Sequence, residues 1–188
     1  MVKKECIENH TFDEISIADG ASLSRTLTRR DIELFAAMSG DVNPAHVDDE
    51  FARNDMFHRI IAHGMWSGAL ISTVLGTELP GPGNIYVAQT LKFRRPIGLG
   101  DTVTVTIRVT GKDRGKHRVT FDCDVVNQDA QVVMSGTAEV IAPTEKVCRS
   151  RMPLPEIEIH ETARSVSITT ADPVPAVGHK APTTPKGS

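Results

Sequence analysis

The sequence predicts an α+β domain in which a curved antiparallel sheet wraps around one long apolar helix. Three observations carry that expectation. Residues 63–79 are apolar in nearly every direction around a helix, with Trp66, Leu70, Ile71, Val74 and Leu75 interrupted only by small residues such as Ser67, Gly68 and Ser72. A helix without a polar face must be enclosed by other structure. Residues 102–109 alternate Thr-Val-Thr-Val-Thr-Ile-Arg-Val, as in a strand with one buried and one solvated face. Short polar links at Asp113-Arg114-Gly115 and Asn127-Gln128-Asp129 separate the alternating segments at hairpin length, which makes the sheet antiparallel.

Taken in order, residues 22–27 alternate like a strand. Thr28-Arg29-Arg30-Asp31 has the form of a capping box, Ile32, Leu34, Phe35 and Met38 follow at roughly helical spacing, and Gly40 supplies the stop. Residues 41–60 are polar and turn-rich, with a short helix expected over 49–54. The apolar helix of 63–79 ends at Pro80-Gly81-Pro82-Gly83, and strands follow at about 85–94, 102–112, 116–127 and 131–141. Six of the eleven prolines lie after residue 150, and the last stretch also collects Thr, Lys and Gly. Residues 1–149 therefore read as the folded domain and 150–188 as a Pro-rich linker or disordered tail, because such a segment buries too little surface to offset its ordering entropy.

Composition narrows the function classes. With 24 acidic residues against 21 Lys and Arg, the chain lacks the basic excess expected of a nucleic-acid binder. No apolar run approaches the ~20 residues that cross a bilayer, and the start of the chain lacks a signal-like apolar stretch. Cys6, Cys123 and Cys148 are odd in number and far apart, so reduced thiols in the cytoplasm are expected rather than a disulfide framework. The histidines and cysteines show no metal-ligand spacing, and no metal is expected.

Two segments could carry chemistry. In Ser39-Gly40-Asp41-Val42-Asn43-Pro44-Ala45-His46, a carboxylate and an imidazole lie five positions apart on a loop stiffened by Asn-Pro. Asn43 suits the cap of a helical turn starting at Pro44, which would hold His46 where the dipole disfavours a second positive charge. Asp41 and a neutral His46 would then grip one water, take one proton and return another. The same residues also read as an ordinary turn with an exposed histidine. In Ala62-His63-Gly64-Met65, the N–H groups of a first helical turn could stabilise an oxyanion, or Gly64 could serve only tight packing. His63 reads as a packed or capping histidine. Ser72 could reach a pocket or bond back to its own helix. Arg94 and Arg95 could meet phosphates or simply confer solubility.

Asp41-x-Asn43-Pro44-x-His46, Ala62-His63-Gly64-Met65, Pro80-Gly81-x-Gly83, Tyr86-x-x-Gln89-x-Leu91-x-Phe93 and Pro96-Ile97-x-x-Gly100-Asp101-x-Val103 occur in that order over about residues 20–145. Together they resemble the MaoC-like (R)-specific enoyl-CoA hydratases. The resemblance implies a hot-dog fold, usually dimeric, and hydration of a trans-2-enoyl thioester to the (R)-3-hydroxyacyl-CoA. It makes Asp41 and His46 the catalytic pair, Asn43 the loop's supporting residue and the Gly64 N–H the thioester-oxygen site. Ser72 becomes a supporting residue, and Arg94 and Arg95 weaker candidates for contacts to coenzyme A. Coenzyme A is then part of the substrate and no separate cofactor is expected. The tail resembles the linker that joins such domains to a phosphate acetyl- or butyryltransferase, so a transferase domain is a conceivable partner, beside a second copy of the chain or a dimer of dimers. Two other functions share the fold: a hot-dog thioesterase, which would place a carboxylate on the central helix, and a non-catalytic acyl-thioester binding domain, which would have a damaged Asp-His pair. Residues 64–76 hold no acidic residue, and Asp41 and His46 are intact.

Overall fold

Thr28 opens the first long helix as its sequence requires. Its hydroxyl accepts from the Asp31 N–H at 3.2 Å, and the Asp31 carboxylate accepts from the Thr28 N–H at 2.9 Å. Gly40 closes the helix in the left-handed region at φ 76°. In the computed structural model, which describes residues 6–158, this helix is α1, Arg29–Ser39. It follows β1 (Cys6–Glu8) and β2 (Gly20–Thr26) and precedes α2 (Pro44–Val47), α3 (Asp49–Asn54) and α4 (Gly64–Thr77). The strands β3 (Ile85–Phe93), β4 (Thr102–Asp113), β5 (Arg118–Asn127), β6 (Val132–Ile141) and β7 (Cys148–Ser150) complete the order. Burial pushes the Asp31 carboxyl up, but hydrogen bonds from Thr28 and the Arg25 guanidinium outweigh it and hold the group below its ordinary value.

Five strands form one antiparallel sheet in the order β2-β4-β5-β6-β3. The alternation of β4 decides its faces. Val103, Val105, Ile107 and Val109 are buried against α4, while Thr102 and Thr104 bond Thr26 and Ser24 across the outer face at 2.7 and 2.8 Å. From α4, Trp66, Leu70, Ile71, Val74 and Leu75 enter the same core. This is the hot-dog arrangement of sheet and central helix.

One expectation needs correcting. Among the described residues α4 is not enclosed on all sides: Met65 is 53% exposed, and Ser72 and Thr73 also face outward. A sheet of five strands covers only one side of the helix. The edge strand β3 is equally bare, with Ile85, Tyr86, Val87 and Phe93 exposed.

The sequence reading also missed a second, two-stranded sheet in which β1 pairs antiparallel with β7. Asn9, fully buried, fixes it: its amide donates to Glu145 O at 2.8 Å and accepts from Val147 N at 2.9 Å. Lys146 reaches Asn9 O at 2.6 Å and Glu14 at 2.8 Å, and its hydrogen bond holds the Glu14 carboxyl down at about 2. The 149/150 boundary suggested by composition falls inside β7, and the first compact unit extends from Met1 to Ile157. Residues 159–188 of the expected tail lie outside the described residues. Cys6 and Cys148, remote in sequence, meet on this small sheet.

Candidate active site

The loop leaving α1 places the first candidate group. Asp41 Oδ1 accepts from the Asn43 N–H at 3.1 Å, and Asn43 in turn caps α2 by accepting from the Ala45 N–H at 3.1 Å. Pro44 at the first position of α2 needs no donor there. One turn later His46 is nearly buried, at 9% exposure. Its Nδ1 lies 2.9 Å from the carbonyl oxygen of Ile61. A carbonyl only accepts, so Nδ1 carries the hydrogen, and in the neutral ring Nε2 is then the nitrogen with the lone pair. Ile61 is held by an isolated bridge to Gly98 and by Ala62 N bonding Ile97 O at 2.7 Å. The tautomer is therefore set by this carbonyl, rather than by the dipole of a helix that is only one turn long.

His63 obeys the same logic. Its Nε2 donates to the backbone oxygen of Asp41 at 2.9 Å, and its Nδ1 is buried and without a hydrogen-bond partner among the described residues. The ring stacks on Phe35 at 4.8 Å and lies 4.0 Å from the His46 ring. His63 is thus packed, as expected, and it also ties the Asp41 backbone to the start of α4. Asp41, His46 and His63 each offer an atom within 4.8 Å of the others, a set that could also hold a divalent cation.

Gly64 begins α4, and its N-cap residue His63 supplies no side-chain hydrogen bond to the first turn. The helix N-terminus thus keeps N–H groups available for an anionic oxygen. A Cβ at Gly64 would lie 3.2 Å from the Phe93 ring, so a side chain would narrow the passage between α4 and the end of β3. A cavity of about 330 Å³ opens there, lined by His46, His63, Gly64, Ser67, Phe93 and Arg95 among others. Asp41 is exposed and is not part of that lining. Ser67, which sequence reasoning passed over, is buried beside Gly64 and donates to its carbonyl at 2.8 Å. Ser72, two turns further on, lies on the exposed side of α4 and away from the lining.

Arg94 and Arg95 line the cavity mouth. Arg94 reaches Ser135 Oγ at 3.4 Å, and Arg95 donates to Val132 O at 2.9 Å. Arg95 and Pro96 also border a second, polar cavity of about 250 Å³ that includes Arg59 and Gln128. The geometry can hold a carbonyl oxygen at the α4 N-terminus, a proton acceptor at His46 Nε2 and anionic groups near the arginines.

A family model described as MaoC like domain matches residues 17–130. An (R)-specific enoyl-CoA hydratase of Rhodospirillum rubrum is 49% identical over 136 residues, covering 71% of this chain and 92% of that protein. A 3-hydroxybutyryl-CoA dehydratase of Methylorubrum extorquens is 37% identical over 137 residues, covering 72% and 85%. Among solved structures, the unliganded R-hydratase PhaJ1 of Pseudomonas aeruginosa superposes with a TM-score of 0.80 at 43% identity, over 82% of this chain and 99% of that one.

Proposed function

The chain belongs to the MaoC-like domain family, and on that premise we propose that it adds water reversibly to trans-2-enoyl-CoA, giving (R)-3-hydroxyacyl-CoA. The observation that carries this reading is the cluster in which Asp41, His46 and His63 each offer an atom within 4.8 Å of the others, with the His46 ring fixed by the Ile61 carbonyl and His63 immediately preceding the first residue of α4. The thioester oxygen sits on the Gly64 N–H, where the helix dipole stabilises the charge it gains as water attacks the β-carbon. Asp41 and His46 Nε2 grip the water; one proton leaves it and one is delivered to the α-carbon. Asn43 keeps Asp41 in place through the loop. No cofactor takes part, because the coenzyme A thioester itself makes the α-carbon protonatable. Arg94 and Arg95 face the phosphates of coenzyme A.

The enzyme works as a homodimer or a dimer of dimers. The bare β3 edge and the outer face of α4, Ser72 included, are the surfaces that a second copy covers. No helix among the described residues is long and apolar enough to cross a membrane, which accords with a cytoplasmic enzyme.

Crotonyl-CoA tests the reaction. Loss of the enoyl absorbance with chiral analysis of the product should show one dominant enantiomer, because water and proton arrive from the one face that carries Asp41 and His46, and the likeness to (R)-specific hydratases makes it the (R)-alcohol. A dominant (S)-product, or hydrolysis to free coenzyme A, would overturn the assignment.

A further inference from the structure

We infer that Cys6 and Cys148 form a modification site: a thiol pair that reacts with a low-molecular-weight disulfide and closes into an intramolecular bond clasping the two ends of the folded chain. In the β1–β7 register Glu8 faces Cys148 and Cys6 faces Ser150. Cys6 and Cys148 are therefore diagonal neighbours two residues apart across the pair, and such residues share a face of the sheet. Cys148 Sγ approaches Cys6 Sγ at 2.7 Å, and both thiols are free. Bringing them to bonding distance, ~2.0 Å, needs less than ~1 Å of movement. Cys148 is exposed and Cys6 half-buried, so a small reagent can reach them. Cys123 is the contrast. It is buried under the sheet, and burial pushes its thiol up to about 12; the Cys148 thiol is raised as well, first by its hydrogen bond to Cys6, so access rather than acidity separates the pair from Cys123.

The chemistry balances with glutathione disulfide as oxidant. One protein thiolate displaces glutathione from it and forms a mixed disulfide. The second thiolate attacks the protein sulfur of that intermediate and expels the other glutathione. Two thiol protons leave, two electrons pass to glutathione disulfide, and one protein S–S bond forms.

The clasp sits at the far end of α4 from Gly64. His10 N bonds Pro80 O at 2.7 Å, and Arg151 reaches Glu78 at 3.4 Å, both just beyond the C-terminus of that helix. Fourteen helical residues, ~20 Å, separate this end from the cavity. Closing the bond joins residues 142 positions apart, the long loop for which a cross-link constrains the unfolded chain most. Oxidation should thus raise stability and leave turnover alone, a result independent of the reading of the active site.

The test is treatment of the full chain with glutathione disulfide, followed by alkylation in denaturant and intact mass. One alkylated cysteine instead of three is expected, with a peptide linking residues 6 and 148. The Tm should rise by about 5 °C or more, return on reduction, and stay unchanged in Cys6→Ser and Cys148→Ser. Three alkylated cysteines, a stable glutathione adduct at either site, a bond between two chains, or a closed bond without a Tm change would each overturn the proposal.

Discussion

Two backbone carbonyls fix what the imidazoles of the cavity can do. Ile61 O holds the Nδ1 hydrogen of His46, and Asp41 O holds the Nε2 hydrogen of His63. Asp41→Asn and His46→Asn are each expected to lower kcat by at least ~100-fold with the circular dichroism of the parent; Tm should stay close to the parent for the exposed Asp41 and fall modestly for His46, whose loss leaves the Ile61 carbonyl unpaired. The double variant should be scarcely slower than either single one, because groups that grip one water act as a unit. That Asp41 and His46 come close together was legible from the Asp-x-Asn-Pro-x-His run, and that Gly64 opens a helix from its motif. The part played by His63 was not, because its anchor is a backbone oxygen 22 positions away and a side-chain motif cannot show it. Asp31 gives a second residue-scale expectation. Its folded pKa lies below the unfolded value of 3.8, so its contribution is present above that value and is lost as pH falls through the folded pKa. Urea titrations should show Asp31→Asn less stable than the parent at pH 7, and the gap should shrink below about pH 4.

Strands read well wherever the side-chain period of two could be seen, and β4 is the clearest instance: its buried valines and outward threonines follow the alternation. The three-residue strands β1 and β7 escape, because a period of two needs more positions than three to declare itself. The apolar α4 was recognised, yet its bare side was not, since hydropathy shows that a surface must be covered and not by which chain. Between β6 and β3 the fit is close enough to test. Gly136 faces Leu91, and a Cβ there would fall 1.9 Å from the carbonyl oxygen of Thr90. Gly136→Ala is expected to cost about 1–3 kcal/mol in chemical denaturation. Activity should fall as well, because the displaced strand carries Phe93 at the cavity wall.

For the whole molecule, the uncovered β3 edge and α4 face set the expected association. Light scattering at micromolar concentration should give a mass of two or four chains; a monomer mass alone would refute the proposed assembly. The chain ending at residue 157 should retain fold and turnover, whereas one ending at 147 should lose several degrees of Tm, because it lacks β7 and the Ile7 and Glu8 backbones lose their partners. Among the described residues that pairing also brings the backbone from residue 6 to residue 150 nearly back to its start, since β1 and β7 lie side by side. The chain should therefore tolerate circular permutation. A short linker from residue 150 back to residue 6, with new ends opened in the exposed turn at residues 113–117, should give a protein with the parent's fold and turnover. The order in which these elements are synthesised would then be a matter of history, and their mutual contacts the only information the fold requires.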